Sequence, residues 1–143
     1  MAKKKTVSKI PAAWQGLVDS ALAAQKKAYA PYSKFRVGCA LEDEKGRVFQ
    51  GCNVENASYS LCICAERTAI VKMVSEGGRS VKRVVVVTSA DEPCFPCGAC
   101  RQVLAEFGSP EVLAIDCTAT AFEKSDFDAL LPHRFSSAQL DGE

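Results

Sequence analysis

The pattern of hydrophobic and polar positions changes its period along the chain, and each period predicts a different element. Over residues 12–29, apolar side chains recur at helical spacing and predict an amphipathic helix. Residues 35–41 and 47–54 are rich in β-branched, aromatic and alternating residues, and the polar stretch 42–46 between them ends in glycine. We therefore expect a helix followed by a β-hairpin.

Helix and strand patterns then alternate through the rest of the chain. Residues 64–76 and 97–107 carry helical apolar stripes, and a glycine follows each stretch. The run of valines within 81–88 and the apolar stretch 112–117 predict strands that are covered on both faces. This order predicts an α/β fold in which helices pack against a mixed sheet.

Length and charge restrict the number of domains and the class of partner. The 143 residues suit one domain, 1–143, and the mostly polar, basic residues 1–9 predict a flexible tail. Eighteen basic and seventeen acidic residues leave a net charge of +1, which provides no attraction to nucleic acid or to an anionic membrane. No stretch is apolar for long enough to cross a bilayer. We expect a small, uncharged partner.

The eight cysteines are the most informative feature of the composition. No apolar run or cleavage-site pattern follows the basic N-terminus, so it does not predict a signal peptide. We therefore expect a cytoplasmic protein, because clustered cysteines in a reducing compartment bind metal or do chemistry more often than they form disulfides. The cysteines are Cys39, Cys52, Cys62, Cys64, Cys94, Cys97, Cys100 and Cys117.

Three of these cysteines lie in two short clusters that predict one metal site. Cys64 is followed two residues later by Glu66, and Pro96 precedes Cys97, which stands three residues before Cys100. Zinc deaminases that use three cysteines have this pattern. Cys97 and Cys100 project from one face of a helical turn. Three protein ligands leave zinc a fourth position for water, as in catalytic sites.

A carboxylate and positive charges complete this predicted site. Glu66 cannot share a face with Cys64 inside a regular helix, so we expect Cys64 at the helix boundary and Glu66 as a general base and acid. Three thiolates on Zn²⁺ leave a net negative charge, which two helix N-termini and the guanidinium of Arg67 can offset. The alternative is that Glu66 is an ordinary first-turn glutamate, favoured by the helix dipole.

The spacing of polar residues on the second hairpin strand leaves two interpretations open. Asn53 and Glu55 are two apart and share a face, where an amide and a carboxylate could grip a sugar hydroxyl. The same residues also fit a strand that simply ends in a loop, because asparagine favours turns. Phe35 is by default a core aromatic residue.

Four segments resemble the cytidine deaminase family and occur in the family's order. They cover most of the chain from Pro31 to Gln102, and the ending Leu130-Leu131-Pro132-His133-Arg134-Phe135 is similar to the family's tail. The resemblance implies a three-layer α/β/α sandwich with a mixed sheet. The segments are Pro31-Tyr32-Ser33-Lys34-Phe35, Gly51-Cys52-Asn53-Val54-Glu55-Asn56-Ala57-Ser58-Tyr59, Cys64-Ala65-Glu66-Arg67 and Pro96-Cys97-Gly98-Ala99-Cys100-Arg101-Gln102.

The resemblance also implies a role for each residue of the metal centre. In this family pattern Cys64, Cys97 and Cys100 hold Zn²⁺, Glu66 moves protons, and Arg67 bonds to the zinc thiolates.

The resemblance implies substrate contacts as well. Asn53 and Glu55 would hold the ribose, the backbone of Ala65 would contact the base, and Phe35 would pack against the pyrimidine. Phe135 would reach in from a neighbouring subunit of a homotetramer with shared active sites.

The expected function is zinc-dependent hydrolytic deamination of cytidine and deoxycytidine to uridine and deoxyuridine in pyrimidine salvage. A structural zinc site would instead recruit Cys62 or Cys94 as a fourth thiol, and a redox protein would use Cys97 and Cys100 as its thiol pair. A polynucleotide editor is disfavoured by the balanced charge. A deaminase of nucleoside antibiotics is the fourth alternative.

Overall fold

A computed structural model describes residues 9–141, so the predicted tail at 1–9 lies, except for Lys9, outside the described residues. The α-helices are α1 (Gln15–Gln25), α2 (Ala65–Ser75), α3 (Gly98–Ala105) and α4 (Phe127–Leu130). The strands are β1 (Val37–Asp43), β2 (Val48–Cys52), β3 (Val81–Thr88), β4 (Glu111–Ile115) and β5 (Phe122–Asp126). Short 3₁₀ helices occupy Ala12–Trp14, Tyr59–Leu61 and Ser137–Gln139.

The five strands form one mixed sheet in the order β2-β1-β3-β4-β5. β1 runs antiparallel to both β2 and β3, β3 and β4 are parallel, and β5 is antiparallel to β4. In the central register Val85 of β3 lies between Ala40 of β1 and Leu113 of β4. The mixed sheet predicted from the order of elements is confirmed.

Helices cover both faces of this sheet. The valines of β3 alternate, because successive strand side chains point to opposite faces. Val85 and Val87 pack on the side of α1, whereas Val84 and Val86 pack on the side of α2 and α3. The predicted three-layer sandwich and the prediction that β3 is covered on both faces are therefore confirmed.

One element prediction differs from the structure, and one strand was not predicted. The first helix was expected to reach residue 29, but α1 ends at Gln25, and the backbone of Tyr29 bonds to Asn53 and Glu55 beside the hairpin. These long-range bonds end the helical repeat. The strand β5 has no apolar alternation, and it forms by backbone pairing with β4 at the sheet edge.

Among residues 9–141, none of the helices has the length and apolar content that crossing a bilayer requires.

Gly51 allows α2 to approach the sheet closely. A Cβ at this position would lie 2.3 Å from the carbonyl oxygen of Ala65 and 2.5 Å from the amide nitrogen of Ala69. Both are backbone atoms, so the clash could be relieved only by moving the helix. Since Cys64 and Glu66 lie at the start of α2, Gly51 also fixes their position.

We expect Gly51→Ala to destabilise the protein by about 1–3 kcal/mol, because it overpacks a helix–sheet contact. Urea denaturation measures the change. Gly16→Ala is the matched control: a Cβ there meets nothing within 4 Å, and alanine in a helix interior is more stable than glycine by roughly 0.5–1 kcal/mol. A Gly51→Ala protein as stable as the wild type would contradict the close approach.

Candidate active site

Two helix starts meet at the predicted metal site. Cys64 is the N-cap residue of α2 and Cys97 the N-cap residue of α3, and both have extended backbone angles, with ψ of 154° and 165°. Their side chains are therefore not constrained by the helical repeat. The prediction that Cys64 lies at the helix boundary is confirmed, and Glu66 falls in the first turn of α2.

The three predicted thiols form one cluster. The Sγ atoms of Cys64, Cys97 and Cys100 all lie within 4.8 Å of one another, and those of Cys64 and Cys97 are 3.9 Å apart. Tetrahedral zinc with Zn–S bonds of about 2.3 Å requires sulfur atoms roughly 3.8 Å apart. Within residues 9–141, no fourth Cys, His, Asp or Glu joins this cluster as a further ligand.

The cysteines considered as a fourth ligand make other contacts. The Sγ atom of Cys62 accepts a hydrogen bond from the backbone N–H of Asn56 at 3.3 Å, and Cys94 donates to the carbonyl of Glu92 at 3.4 Å. Within the described part of the chain the cluster therefore has three cysteines, the ligand number of an open zinc site, and no fourth thiol joins it.

Arg67 supplies positive charge beside the thiols. Its Nη2 atom lies 3.6 Å from the Sγ atom of Cys64, and its Nε atom is buried without a hydrogen-bond partner. A hydrogen bond from Cys100, together with that from Arg67, lowers the pKa of Cys64 to about 5. A donor set that favours a thiolate, with a further buried N–H, fits a metal held by sulfur.

Glu66 is buried beside the cluster and faces a cavity. Its side chain is 4 % exposed, and burial raises its pKa to about 7. The cavity has a volume of about 330 Å³, and Cys64, Glu66 and Cys97 line it together. The carboxyl group of Glu66 and two of the three clustered thiols thus face the same cavity.

Three further predicted residues line this cavity, and two do not. Phe35, Asn53 and Glu55 form part of its wall. Ala65 is fully buried at the start of α2, and Phe135 is 56 % exposed and lies outside the wall. Sequence reasoning assigned no role to several other wall residues, among them Ser33, Thr88 and Phe95.

Asn53 bonds to the backbone on both sides of Arg36. Its Oδ1 atom accepts the N–H of Val37 at 2.8 Å, and its Nδ2 atom donates to the carbonyl of Phe35 at 2.7 Å. Asn53 therefore stabilises the chain that carries Phe35. These contacts support the interpretation that Asn53 lies where the strand ends in a loop. Its NH₂ group has a second hydrogen and its oxygen a second lone pair, so Asn53 can also bind a ligand.

Comparison with known proteins decides the family. A family model described as the cytidine and deoxycytidylate deaminase zinc-binding region matches residues 13–115. The chain belongs to this family. A cytidine deaminase of Sporosarcina psychrophila is 47 % identical over 126 residues, which cover 87 % of this chain and 92 % of the relative. A probable cytidine deaminase of Dictyostelium discoideum is 48 % identical over 124 residues, covering 86 % and 84 %.

The fold of this deaminase family member also matches solved structures. The crystal structure of cytidine deaminase from Burkholderia pseudomallei has a TM-score of 0.80 and 46 % sequence identity, covering 85 % of this chain and 98 % of that one. Zinc is the metal named for the matched region, and the three-thiol cluster has the donor chemistry and spacing to hold it.

Proposed function

We propose that this protein is a zinc-dependent hydrolase that deaminates cytidine and deoxycytidine to uridine and deoxyuridine, with release of ammonia, in pyrimidine salvage. One observation carries the proposal: the buried carboxyl group of Glu66 and the thiols of Cys64 and Cys97 line one cavity of about 330 Å³. A pocket of that volume suits a small ligand. The relatives named as cytidine deaminases support the choice of a nucleoside.

The chemistry needs an activated water and a group that moves protons. Zinc, when bound by the three thiols, supplies a Lewis acid that makes a water molecule nucleophilic at neutral pH. Glu66 takes one proton from the water that adds to C4 of the ring and gives it to the ring nitrogen, and it then takes the second proton from the added hydroxyl group and gives it to the departing amine. Water and cytidine thus become uridine and ammonia, with Glu66 returned to its starting state. Arg67 stabilises the charge of the thiolates.

The cavity wall supplies groups for the rest of the nucleoside. Phe35 is 41 % exposed, so its ring is free to pack against the pyrimidine. Asn53 and Glu55 offer hydrogen-bonding capacity to the ribose hydroxyls. The backbone of Ala65, at the first position of α2, has an N–H group without an intrahelical partner, which can donate to the base.

Ultraviolet spectroscopy tests the proposed activity. Purified protein should convert the spectrum of cytidine, and that of deoxycytidine, to the spectrum of the corresponding uridine nucleoside, with one ammonia released per turnover. Deoxycytidine monophosphate and an aminopyrimidine nucleoside antibiotic are the comparison substrates. Faster turnover of either would replace the proposed substrate, and no turnover of any of the four by zinc-loaded protein would refute the proposed reaction.

We further propose that the protein is a homotetramer whose subunits share active sites and that it is located in the cytoplasm. Residues 1–143 would act as one catalytic domain. Phe135 is held at the surface by a 2.9 Å hydrogen bond from Gln102 to its carbonyl, which leaves its ring exposed. Tyr59 and Leu61 are exposed apolar residues that a subunit contact would cover.

All eight cysteines lie within the described residues and none forms a disulfide, which suits a reducing compartment.

Mixed oligomers test whether Phe135 acts on a neighbour. Phe135→Ala should raise the KM for cytidine without loss of zinc, because aromatic packing contributes about 0.5–1.5 kcal/mol beyond area burial. Mixing Phe135→Ala subunits with Glu66→Gln subunits should create sites with both side chains intact and raise activity above the mean of the two parents. Sedimentation verifies mixing. A fully active monomer, or no recovery in mixed oligomers, would contradict the shared site.

A further inference from the structure

Ser33 connects two parts of the cavity wall that are far apart in sequence. Its hydroxyl group donates to Oε2 of Glu55 at 2.5 Å, and its Oγ atom accepts the backbone N–H of Phe35 at 3.0 Å. Ser33 itself lines the cavity together with both partners. One hydroxyl group thus joins the carboxylate assigned to the ribose to the backbone of the aromatic residue assigned to the base.

The turn that carries Ser33 depends on the same carboxylate. Oε1 of Glu55 accepts the backbone N–H groups of Tyr32 at 2.9 Å and Ser33 at 3.2 Å. The next residue, Lys34, has a φ of 61°, which is uncommon for a residue with a side chain and persists only where neighbouring contacts hold it. Glu55 and Ser33 therefore fix the turn from which Phe35 enters the cavity.

The bonds to Glu55 also determine what it can still accept. Each carboxylate oxygen has two lone pairs. On Oε1 both are taken by backbone N–H groups, whereas on Oε2 the Ser33 hydroxyl takes one. One lone pair of Oε2 remains, and the Ser33 bond sets its direction. The hydrogen bond from Ser33 is also the largest cause of the lowered pKa of Glu55, so this carboxyl group is ionised at neutral pH.

We propose that Ser33 is a positioning residue for the deamination of pyrimidine nucleosides: it aims the free lone pair of Glu55 at a ribose hydroxyl and at the same time holds Phe35 against the base. This inference rests on the proposed function. Ser33 lies in an exposed turn outside the hydrophobic core, so its hydroxyl group is not needed for core packing. Its loss should impair nucleoside binding more than the proton transfers of Glu66.

Steady-state kinetics of Ser33→Ala tests the role. With cytidine, KM should rise about tenfold, the value of one hydrogen bond to a charged group, while kcat changes less than about twofold. With 2′,3′-dideoxycytidine, which lacks the 2′ and 3′ hydroxyl groups of the sugar, KM should rise less than about threefold. Ser33→Thr keeps a hydroxyl group and should restore KM. Ser75→Ala, which removes an exposed hydroxyl bonded to a backbone carbonyl at the end of α2, is the matched control and should be unchanged.

A double-mutant cycle provides the second test. If Ser33 acts through Glu55, Ser33→Ala should add little to the rise in the KM of cytidine already caused by Glu55→Gln. The role of Ser33 would be overturned by full additivity in the cycle, by an unchanged KM in Ser33→Ala, or by a loss confined to kcat. It would also be overturned if threonine did not restore KM or if the Ser33→Ala protein failed to fold. Wild-type protein that binds zinc but does not turn over cytidine would instead refute the proposed function.

Discussion

Glu66→Gln is expected to lower kcat for cytidine by roughly 10²–10⁴-fold, the usual contribution of a general acid–base group, while the fold, the zinc content and nucleoside binding are retained. Glutamine has nearly the same size and can form hydrogen bonds, but an amide cannot carry a proton between water, ring nitrogen and amine. Glu66 is 4 % exposed and lines the cavity beside the thiols of Cys64 and Cys97, which places its carboxyl group where it can exchange protons with a bound substrate.

Three measurements together check this expectation: kcat, zinc per chain, and calorimetric binding of the nucleoside. Glu76→Gln is the matched control, because it makes the same chemical change at the exposed C-terminal end of the same helix. We expect wild-type kcat from the control. Near-normal turnover by Glu66→Gln would reduce Glu66 to a first-turn glutamate and remove it from the mechanism.

The second large effect is expected from the metal ligands. The purified protein should contain about one zinc per chain, since three clustered thiols have the ligand type and spacing that this ion prefers. Cys97→Ser should weaken zinc binding by more than roughly tenfold. Loss of a side chain that only hydrogen-bonds to a ligand already lowers metal affinity by about 10–100-fold, and loss of a ligand itself should cost more. Cytidine turnover should be lost with the metal.

Metal analysis and the spectrum of the cobalt-substituted protein measure this prediction. The cobalt spectrum should correspond to three thiolate ligands. Cys117→Ser is the control, because Cys117 is exposed and does not belong to the cluster, and it should keep both zinc and activity. An active protein free of metal would refute the zinc site, and a cobalt spectrum with four protein thiolates would indicate a structural site instead.

The elements with strong local patterns followed from the sequence. The valine-rich strand was predicted with the bounds Val81–Thr88 that the structure shows, because a continuous β-branched run fits a strand buried on both faces. The two helices after the hairpin were placed within two residues at each end, since glycines follow them and their apolar stripes are regular.

The metal cluster was also predictable from the sequence. Cys97 and Cys100 are neighbours on one helical turn, so their proximity is a local property. Cys64 was predicted to lie at a helix boundary because, inside a regular helix, Glu66 could not share a face with Cys64. That the two helix starts meet was inferred from the three-cysteine pattern of zinc deaminases and from the resemblance.

Only the tertiary structure decided the polar edge of the sheet and the end of the first helix. The sequence Phe122–Asp126 lacks alternation, and it becomes a strand because β4 offers unpaired backbone groups to it. The apolar spacing of the first helix continues past Gln25, but the backbone of Tyr29 bonds to Asn53 and Glu55 instead. Local periodicity carries no information about such distant partners.

The cavity wall likewise depends on contacts between distant segments. Cys62 stands two residues before Cys64, yet its thiol bonds to Asn56 and stays out of the cluster, which proximity in sequence could not reveal. Ser33 and Glu55 are 22 residues apart, and their hydrogen bond exists because the first turn folds back over the end of β2. The sequence by itself indicated which residues are proposed to carry the chemistry, whereas the tertiary structure decided which side chains hold them in place, because hydrogen bonds across the fold depend on distances in space.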